Sequence, residues 1–405
     1  MILLQINTVA NSGSTGRIAE GIGFAAQNAG YHSCIAYGRY ANPSVSQLIK
    51  IGSRIDQYEH ALETRLFDNH GLASRNATRD FISQIDRIHP AIVHLHNIHG
   101  YYINYEILFN YFKRKKTPVV WTLHDCWPFT GHCSYFTIAQ CVKWKTQCSN
   151  CPIKSEYPQS FFANNAANNF KRKKNTFTSL KSITIVSVSH WLDDLVSQSF
   201  LKDSRHLVIH NGIDTDAFAP SFKAHEIREK CGVRDNEMML LGVASVWSDR
   251  KGLHDFLELA KSISPDTKLV LIGLSPKIIR KLPENVVGIE RTESVQQLSD
   301  YYSAADLFLN LTYEDNYPTT NLEAVSCGTP CLTYRTGGSP ESISAETGFV
   351  TAQGDFNAIL DCIKAVKTNG KRSYSVACRN YALTHFRQED CFRKYIDLYK
   401  QMCDM

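Results

Sequence analysis

The strongest constraint on the fold is an alternation, along almost the whole chain, of short apolar runs with amphipathic, helix-like segments. Runs such as ILLQINTV near the start, AIVHLHN at 91–97 and PVVWTLHD at 118–125 are apolar nearly throughout and end in polar residues. Strands that are apolar on both faces belong in parallel sheets with helices on both sides. The pattern therefore predicts an α/β protein with doubly wound parallel sheets, and no internal repeat suggests a solenoid or propeller.

The length and the position of a break in the pattern predict two domains. The chain has 405 residues, whereas single cores stop growing near ~250–300 residues. The strand–helix alternation restarts after the proline-containing stretch 214–229. We predict an N-terminal Rossmann-like domain over 1–215 with a cysteine-rich insertion at 126–151, a C-terminal Rossmann-like domain over 216–385, and a helix over 386–405 that crosses back to the first domain. The two domains are expected to face each other across a cleft, with ligands beyond the carboxyl ends of the strands.

The composition excludes several classes of protein. Hydrophobic residues make up 43% and charged residues 20% of the chain, which is a globular composition rather than a disordered one. The net charge of +5 is too weak to indicate nucleic acid as a partner. The sequence has no apolar run long enough to cross a membrane, and its start lacks the features of a signal peptide. We expect a cytoplasmic protein.

The cysteines are concentrated in one segment. Cys133, Cys141, Cys148 and Cys151 lie close together, with Cys126 just before them. In a reducing compartment such a cluster favours metal ligation over disulfides. The final C-x-x-C is half of many thiolate zinc sites, and four thiolates fill a tetrahedral shell with no open catalytic position. We therefore expect structural zinc, with unligated thiols and a redox pair as alternatives.

Polar residues follow the predicted strands of the first half. His124 ends the strand WTLHD, where a neutral imidazole can hydrogen-bond a sugar hydroxyl. Gly16 and Arg17 belong to a GSTGR loop before the first helix, which suits an anion or forms only a tight turn. Asn211 and Gly212 end a strand at the domain boundary. The D-T-D that follows them is expected to cap a helical turn rather than bind a metal and nucleotide.

In the second half of the chain, two cations and the beginning of a helix are suited to binding a diphosphate. Arg250 and Lys251 precede a helix and follow the first strand of that half. The amides of Thr319 and Thr320 are expected to open another helix, where free N–H groups receive phosphate. The carboxylates of Asp315 and Glu323 flank this helix start and can each accept bonds from vicinal hydroxyls of a sugar or ribose.

With these residues assembled, the chain resembles family 4 of the retaining glycosyltransferases, which have the GT-B architecture. The family's E-x(7)-E element resembles Asp315 to Glu323, and the following EAVSCGTP, the earlier NGID and the later GGSPE match its other motifs. The sequence departs from the family in two places. The first acidic position is Asp315, with Glu314 beside it, and the usual G-R-L before the K-G is absent, so that Arg250 is expected to replace its arginine. The GSTGRI start, the HD-x-W-x-F-TG-x-C segment and the cysteines resemble a bacterial subgroup that makes surface polysaccharides such as O-antigen, capsule and colanic acid.

The resemblance implies transfer of a sugar, with retention, from a UDP- or GDP-sugar. Glu323 would hold the ribose and Asp315 the sugar hydroxyls, while Arg250 and Lys251 would bind the diphosphate without a catalytic metal. Tyr317, within the same motif, is also expected at the donor site. His124 would shape the sugar site, and no protein nucleophile is implied because the donor phosphate assists deprotonation of the acceptor.

The acceptor is expected to be a lipid-linked oligosaccharide at the inner face of the membrane. Two basic runs, Lys113–Lys116 and Lys171–Lys174, would favour an anionic surface there. Three alternatives remain at this point: a GT-B enzyme that epimerises or hydrolyses a nucleotide sugar, a non-enzymatic zinc-bearing binding protein, and an inactive nucleotide-sugar binder.

Overall fold

A seven-stranded, wholly parallel sheet forms the centre of the first of two units. The structure, a computed structural model, describes residues 1–403, and this unit comprises residues 1–210 together with those from 392 onward. The strand order is β3-β2-β1-β4-β5-β6-β7. The strands are β1 (Ile2–Asn7), β2 (His32–Tyr37), β3 (Gln47–Lys50), β4 (Ile92–Leu95), β5 (Val119–Leu123), β6 (Ile183–Ser187) and β7 (Arg205–Val208). The helices are α1 (Gly13–Asn28), α2 (Arg54–Phe67), α3 (Arg75–Ile88), α4 (Tyr105–Lys115), α5 (Ala166–Phe177) and α6 (His190–Val196).

The second unit, residues 211–391, has a six-stranded parallel sheet of its own. Its strand order is β10-β9-β8-β11-β12-β13. The strands are β8 (Met238–Val243), β9 (Thr267–Ile272), β10 (Val286–Ile289), β11 (Leu307–Asn310), β12 (Cys331–Tyr334) and β13 (Gly348–Thr351). The helices are α7 (Ala224–Lys230), α8 (Leu253–Ser262), α9 (Pro276–Ile279), α10 (Val295–Ala304), α11 (Thr319–Ser326), α12 (Phe356–Asn369) and α13 (Arg372–His385). The predicted pair of doubly wound parallel sheets is confirmed.

The last helix, α14 (Gln388–Cys403), begins in the second unit and continues into the first. Its Tyr399 hydroxyl hydrogen-bonds His94 Nδ1 at 2.6 Å, and Tyr395 bonds Thr122 at 3.1 Å. These buried contacts attach the helix to β4 and β5. The last two residues of the C-terminal helix predicted over 386–405, residues 404 and 405, lie outside the described residues.

The strand order fixes where a ligand can bind in each unit. In the first sheet the order reverses between β1 and β4, and in the second between β8 and β11. In open parallel sheets such reversals leave a crevice at the carboxyl ends of the strands, because the adjoining helices lie on opposite faces. The segments to consider are therefore those that follow β1 and β4 in one unit and β8 and β11 in the other.

One local prediction is wrong. The stretch GSTGR was expected to be a loop before the first helix, but α1 already begins at Gly13. The chain turns earlier, at residues 8–12, and Gly16 then packs in the first turn of α1 against that segment. A Cβ on Gly16 would lie 3.1 Å from Val9 and 3.2 Å from the Asn11 nitrogen. Gly16 is buried and Arg17 is exposed, so the small residues serve close packing of the helix start.

Candidate functional site

A chain of histidines occupies the carboxyl ends of β4 and β5. Gln5 donates its amide to the Ala19 carbonyl at 2.8 Å, so its oxygen accepts from His96 Nε2 at 3.0 Å. His96 Nδ1 is then the acceptor for His124 Nε2 at 3.1 Å. Burial lowers the pKa of His124 to about 4, so this imidazole is neutral at neutral pH. With Nε2 donating to His96, Nδ1 of this neutral ring carries the lone pair and has acceptor character.

Asp125, His99 and Tyr157 form a second chain of polar contacts beside this one. Asp125 Oδ2 lies 3.0 Å from His99 Nε2, and His99 Nδ1 lies 2.9 Å from the Tyr157 hydroxyl. Burial would raise the pKa of Asp125, but His99 and the Trp127 N–H outweigh it and lower that pKa. The sequence analysis did not assign Asp125 or Tyr157 to the site. The H-D pair was a signal for Asp125, whereas Tyr157 is too distant in sequence to be found by pattern.

In the second unit, the turn after β8 presents Arg250 and Lys251. Residues 249–251 form a single 3-10 turn, and Gly252 follows in the left-handed region with φ 73°. A Cβ on Gly252 would lie 2.0 Å from the Leu311 carbonyl oxygen, so only glycine lets this turn pack on the end of β11. The glycine of the K-G motif therefore allows the close packing that brings Arg250 and Lys251 to the point where the strand order reverses.

The segment after β11 meets these cations directly. Lys251 Nζ lies 2.5 Å from Asp315 Oδ2, and Arg250 donates to the Glu314 carbonyl at 2.7 Å. Burial would raise the pKa of Asp315, but the adjacent ammonium and guanidinium outweigh it and lower that pKa. Asp315 is therefore ionised, and it holds Lys251 in place. Glu314 is buried and contacts Arg250 through its backbone carbonyl.

The helix α11 contributes its N-terminus and Glu323. It begins at Thr319 as predicted, after Pro318, which has no side-chain group to cap the amides of Thr319 and Thr320. Glu323 is buried, and its Oε2 accepts from the Tyr302 hydroxyl at 2.9 Å. Tyr302, on α10, was not found by the sequence analysis. A buried carboxylate thus lies just over a turn beyond free helix amides.

Tyr317 and the GGSPE turn complete the surroundings of this segment. Tyr317 is buried, and burial raises the pKa of its hydroxyl well above the usual value. Gly337 has φ 52°, and a Cβ there would lie 1.8 Å from the Asp315 carbonyl oxygen. The glycine is therefore required for the turn after β12 to pack on the acidic segment.

Asn211, Gly212 and Asp214 have a structural role in the second unit. Gly212 packs against the start of α14, where a Cβ would lie 2.6 Å from the Gln388 Cα. Asn211 is buried. Asp214 Oδ1 accepts from the backbone N–H groups of Asp216 and Ala217 at 3.0 and 2.9 Å. The predicted capping role of this aspartate is confirmed.

The four clustered cysteines line one small cavity in the first unit. The chain between β5 and α5 runs mainly in turns, with short 3-10 segments at 127–129 and 143–145. Cys133 and Cys148 are buried, whereas Cys141 and Cys151 are half-buried, and all four are free thiols. His132, which the sequence analysis did not consider, lines the same cavity.

The two basic runs lie on neighbouring helices, but not all of their cations are on the surface. Arg172 on α5 pairs with Glu106 on α4 at 2.6 Å. Lys115 pairs with Asp86 at 2.6 Å. Lys173 is buried, because its ammonium lies 3.4 Å from the centre of the Trp127 ring and donates to the Trp127 carbonyl. Among residues 1–403, no helix combines the length and apolar character needed to cross a membrane.

Comparison with known proteins finds a glycosyltransferase family in each half of the chain. The model of the family described as Glycosyltransferase Family 4 matches residues 25–217, and that of Glycosyl transferases group 1 matches residues 237–369. The chain is 24% identical over 362 residues to the putative colanic acid biosynthesis glycosyl transferase WcaC of Escherichia coli K12, covering 86% of each chain.

Two further relatives extend the comparison. An Escherichia coli UDP-Gal:alpha-D-GlcNAc-diphosphoundecaprenol alpha-1,3-galactosyltransferase is 24% identical over 223 residues, which is 51% of this chain and 57% of that one. The crystal structure of Anabaena Alr3699/HepE in complex with UDP-glucose superposes with a TM-score of 0.67 at 12% identity, covering 99% of this chain and 100% of that one. The likeness in structure shows the GT-B fold. The family matches in the two halves show that this chain belongs to the family 4 glycosyltransferases.

Proposed function

We propose that this glycosyltransferase transfers a sugar from a UDP- or GDP-sugar to a lipid-linked oligosaccharide, with retention, in the synthesis of a bacterial surface polysaccharide. The observation that carries the proposal is the arrangement after β8 and β11. Arg250, the Lys251–Asp315 pair and the α11 amides lie at the reversal in strand order, with Glu323 just inside the helix. Cations and free amides suit a diphosphate, and a buried carboxylate suits ribose hydroxyls.

Different residues would bind different parts of the donor. Arg250, Lys251 and the amides of Thr319 and Thr320 would bind the diphosphate and stabilise the charge that develops on the leaving group. Glu323 would accept from the ribose hydroxyls. Because Asp315 already binds Lys251, we propose that it positions the ammonium and accepts a sugar hydroxyl with its second oxygen, which now receives the Asn316 N–H at 2.9 Å.

The chemical step needs no protein nucleophile. The bond from the anomeric carbon to the diphosphate oxygen breaks, and the acceptor oxygen forms its bond on the same face. Because the new bond forms on the face that the diphosphate leaves, the configuration is retained, and the acceptor proton passes to an oxygen of the departing phosphate. Within the first unit, His124 would accept a substrate hydroxyl through Nδ1, since its Nε2–H is committed to His96.

A lipid-linked acceptor is supported by the surface of the first unit. Ile55, Tyr58 and Leu62 are exposed and share one face of α2. The exposed Phe161 lies beside that helix, because its N–H donates to the Arg65 carbonyl at 2.8 Å. The end of α2 lies beside the start of the basic helix α5, because Asn165 donates to the Phe67 carbonyl at 2.7 Å. Apolar side chains near basic residues suit a membrane surface. Two relatives agree with this proposal, since one is named for colanic acid biosynthesis and the other for a diphosphoundecaprenol-linked acceptor.

A transfer assay tests the proposed function. The protein is incubated with a panel of UDP- and GDP-sugars and synthetic polyprenyl-diphosphate-linked sugars, and the lipid fraction is analysed by mass spectrometry and NMR. We expect one donor to add a single sugar with its anomeric configuration unchanged. Inversion would refute the retaining mechanism, and release of free sugar irrespective of acceptor would identify a hydrolase instead.

A further inference from the structure

The cavity lined by the cysteines has the size of a single-ion site. Cys133, Cys141, Cys148 and Cys151 line it together with His132, and its volume is about 10 Å³. A volume of ~10–15 Å³ is what one water-sized sphere needs, so the cavity suits an ion rather than an organic ligand. The soft thiols around it suit zinc among the common biological cations.

Three of the sulfur atoms make hydrogen-bond contacts that hold them at the cavity. Cys133 and Cys151 hydrogen-bond each other through their side chains, and the Ile153 N–H donates to Cys151. The Gly131 N–H donates to the Cys148 sulfur at 3.2 Å. Asn150, inside the C-x-x-C, has φ 42°, which gives this segment a tight turn. These contacts fix the positions of the sulfur atoms, and a zinc ion that binds them would displace the thiol protons.

His132 supplies an independent indication of a ligand. The residue is 2% exposed, and its Nδ1 lies 2.6 Å from Asp68 Oδ1. Asp68 is itself fixed, because its Oδ2 accepts from the Asn165 N–H at 2.8 Å. Within the described residues, His132 Nε2 is buried without a hydrogen-bond partner. In many zinc sites, a carboxylate orients the histidine through one ring nitrogen, and the other ring nitrogen binds the metal.

We propose that the cavity binds one structural zinc ion through the thiolates of Cys133, Cys148 and Cys151 and through Nε2 of His132. In this set the oriented imidazole of His132 takes the place of the predicted Cys141, for which no sulfur hydrogen bond is found among the described residues. Among residues 1–403 as the structure describes them, no three of these ligand atoms are all within 4.8 Å of one another. Binding therefore requires the cysteine side chains to rotate towards His132.

The charge of the site and its position define its role. Three thiolates and one neutral imidazole give the zinc complex a net charge of −1, and the buried ammonium of Lys173 lies close enough to Cys133 and Cys148 to interact with them electrostatically. Four ligands leave no open position, so the metal takes no part in the chemistry. It would instead fix the segment that follows His124 and Asp125 and leads to α5.

Metal analysis with matched variants tests the proposal. Protein purified under reducing conditions should contain about one zinc per chain. His132→Asn keeps a donor for Asp68 but lacks Nε2, and it should lose most of the zinc, as should Cys148→Ser. Cys141→Ser and Cys34→Ala, a buried thiol elsewhere in the first unit, should retain it. Protein without stoichiometric zinc would overturn the site, and zinc lost from Cys141→Ser but kept by His132→Asn would overturn the ligand set.

X-ray absorption at the zinc edge of the wild-type protein identifies the ligands directly, so the test does not depend on every variant folding. The wild-type protein should show three sulfur neighbours near ~2.3 Å and one nitrogen near ~2.0 Å. Four sulfur neighbours would remove His132 from the ligand set. A shell of oxygen and nitrogen alone would show that the zinc is not bound at the cysteines.

Discussion

Replacing Glu323 by glutamine should lower kcat/KM between about 10-fold and about 150-fold while leaving the protein folded. The carboxylate is buried on α11 and accepts from the Tyr302 hydroxyl at 2.9 Å. The amide keeps the shape and still accepts that bond, but it loses the charge offered to the ribose. A hydrogen bond to a charged group contributes ~1.5–3 kcal/mol, and each 1.36 kcal/mol is about tenfold in rate.

Steady-state kinetics and thermal unfolding of four proteins separate this role from a structural one. Tyr302→Phe keeps the charge but removes its positioning partner, so its loss should be smaller than that of Glu323→Gln. Glu346→Gln removes an exposed carboxylate of the same unit and should behave as wild type. The reasoning is refuted if Glu323→Gln stays within about twofold of wild type, or if its activity falls only in proportion to unfolded protein.

Three further predictions follow from the same contacts. Asp315→Asn should reduce turnover more than Glu314→Gln, because Asp315 binds Lys251 with its side chain whereas Glu314 contacts Arg250 with its backbone carbonyl; the reverse order in kinetics would contradict this. Activity should survive EDTA in short assays, since cations and amides of the protein offset the phosphate charge; an immediate loss restored by magnesium would contradict it. The free energy of unfolding should fall as the pH is lowered from about 6.5 towards 3, because burial lowers the pKa of His60 to about 3 and the unfolded chain binds the proton first. In urea titrations, the change of unfolding free energy with pH should be smaller for His60→Asn than for the wild type, by up to ~1.4 kcal/mol per pH unit. Equal slopes in the two proteins would refute this role of His60.

The sheets could be predicted from the sequence because their central strands are apolar on both faces. β5 and β6 are buried along their whole length, and the apolar run of β5 was identified directly as PVVWTLHD. β3 and β13 are short edge strands with partly exposed residues, so their composition resembles that of loops. The start of α1 was missed for another reason, since its glycines pack against the preceding turn rather than forming a loop.

The candidate site could be predicted where its residues are near in sequence. Asp315, Thr319 and Glu323 lie on one strand-to-helix connection, and the spacing of the motif preserves that geometry. The partners that orient them are distant in the chain. Tyr302 reaches Glu323 from α10, and Asp68 reaches His132 across the first unit, so only the fold reveals these pairs. Burial of Lys173 under Trp127 was equally hidden within a run of basic residues.

Binding of nucleoside diphosphates to wild type and to Glu323→Gln is the measurement that tests the central claim most directly. Calorimetry and thermal unfolding with UDP, GDP and ADP report whether the site after β8 and β11 takes a diphosphate and which base it selects. We predict that UDP or GDP stabilises the wild type by about 2.7 kcal/mol at one hundred times its dissociation constant, and that Glu323→Gln binds it at least about tenfold more weakly. If no nucleoside diphosphate binds, or if the variant binds as tightly as the wild type, the assignment of this site is wrong.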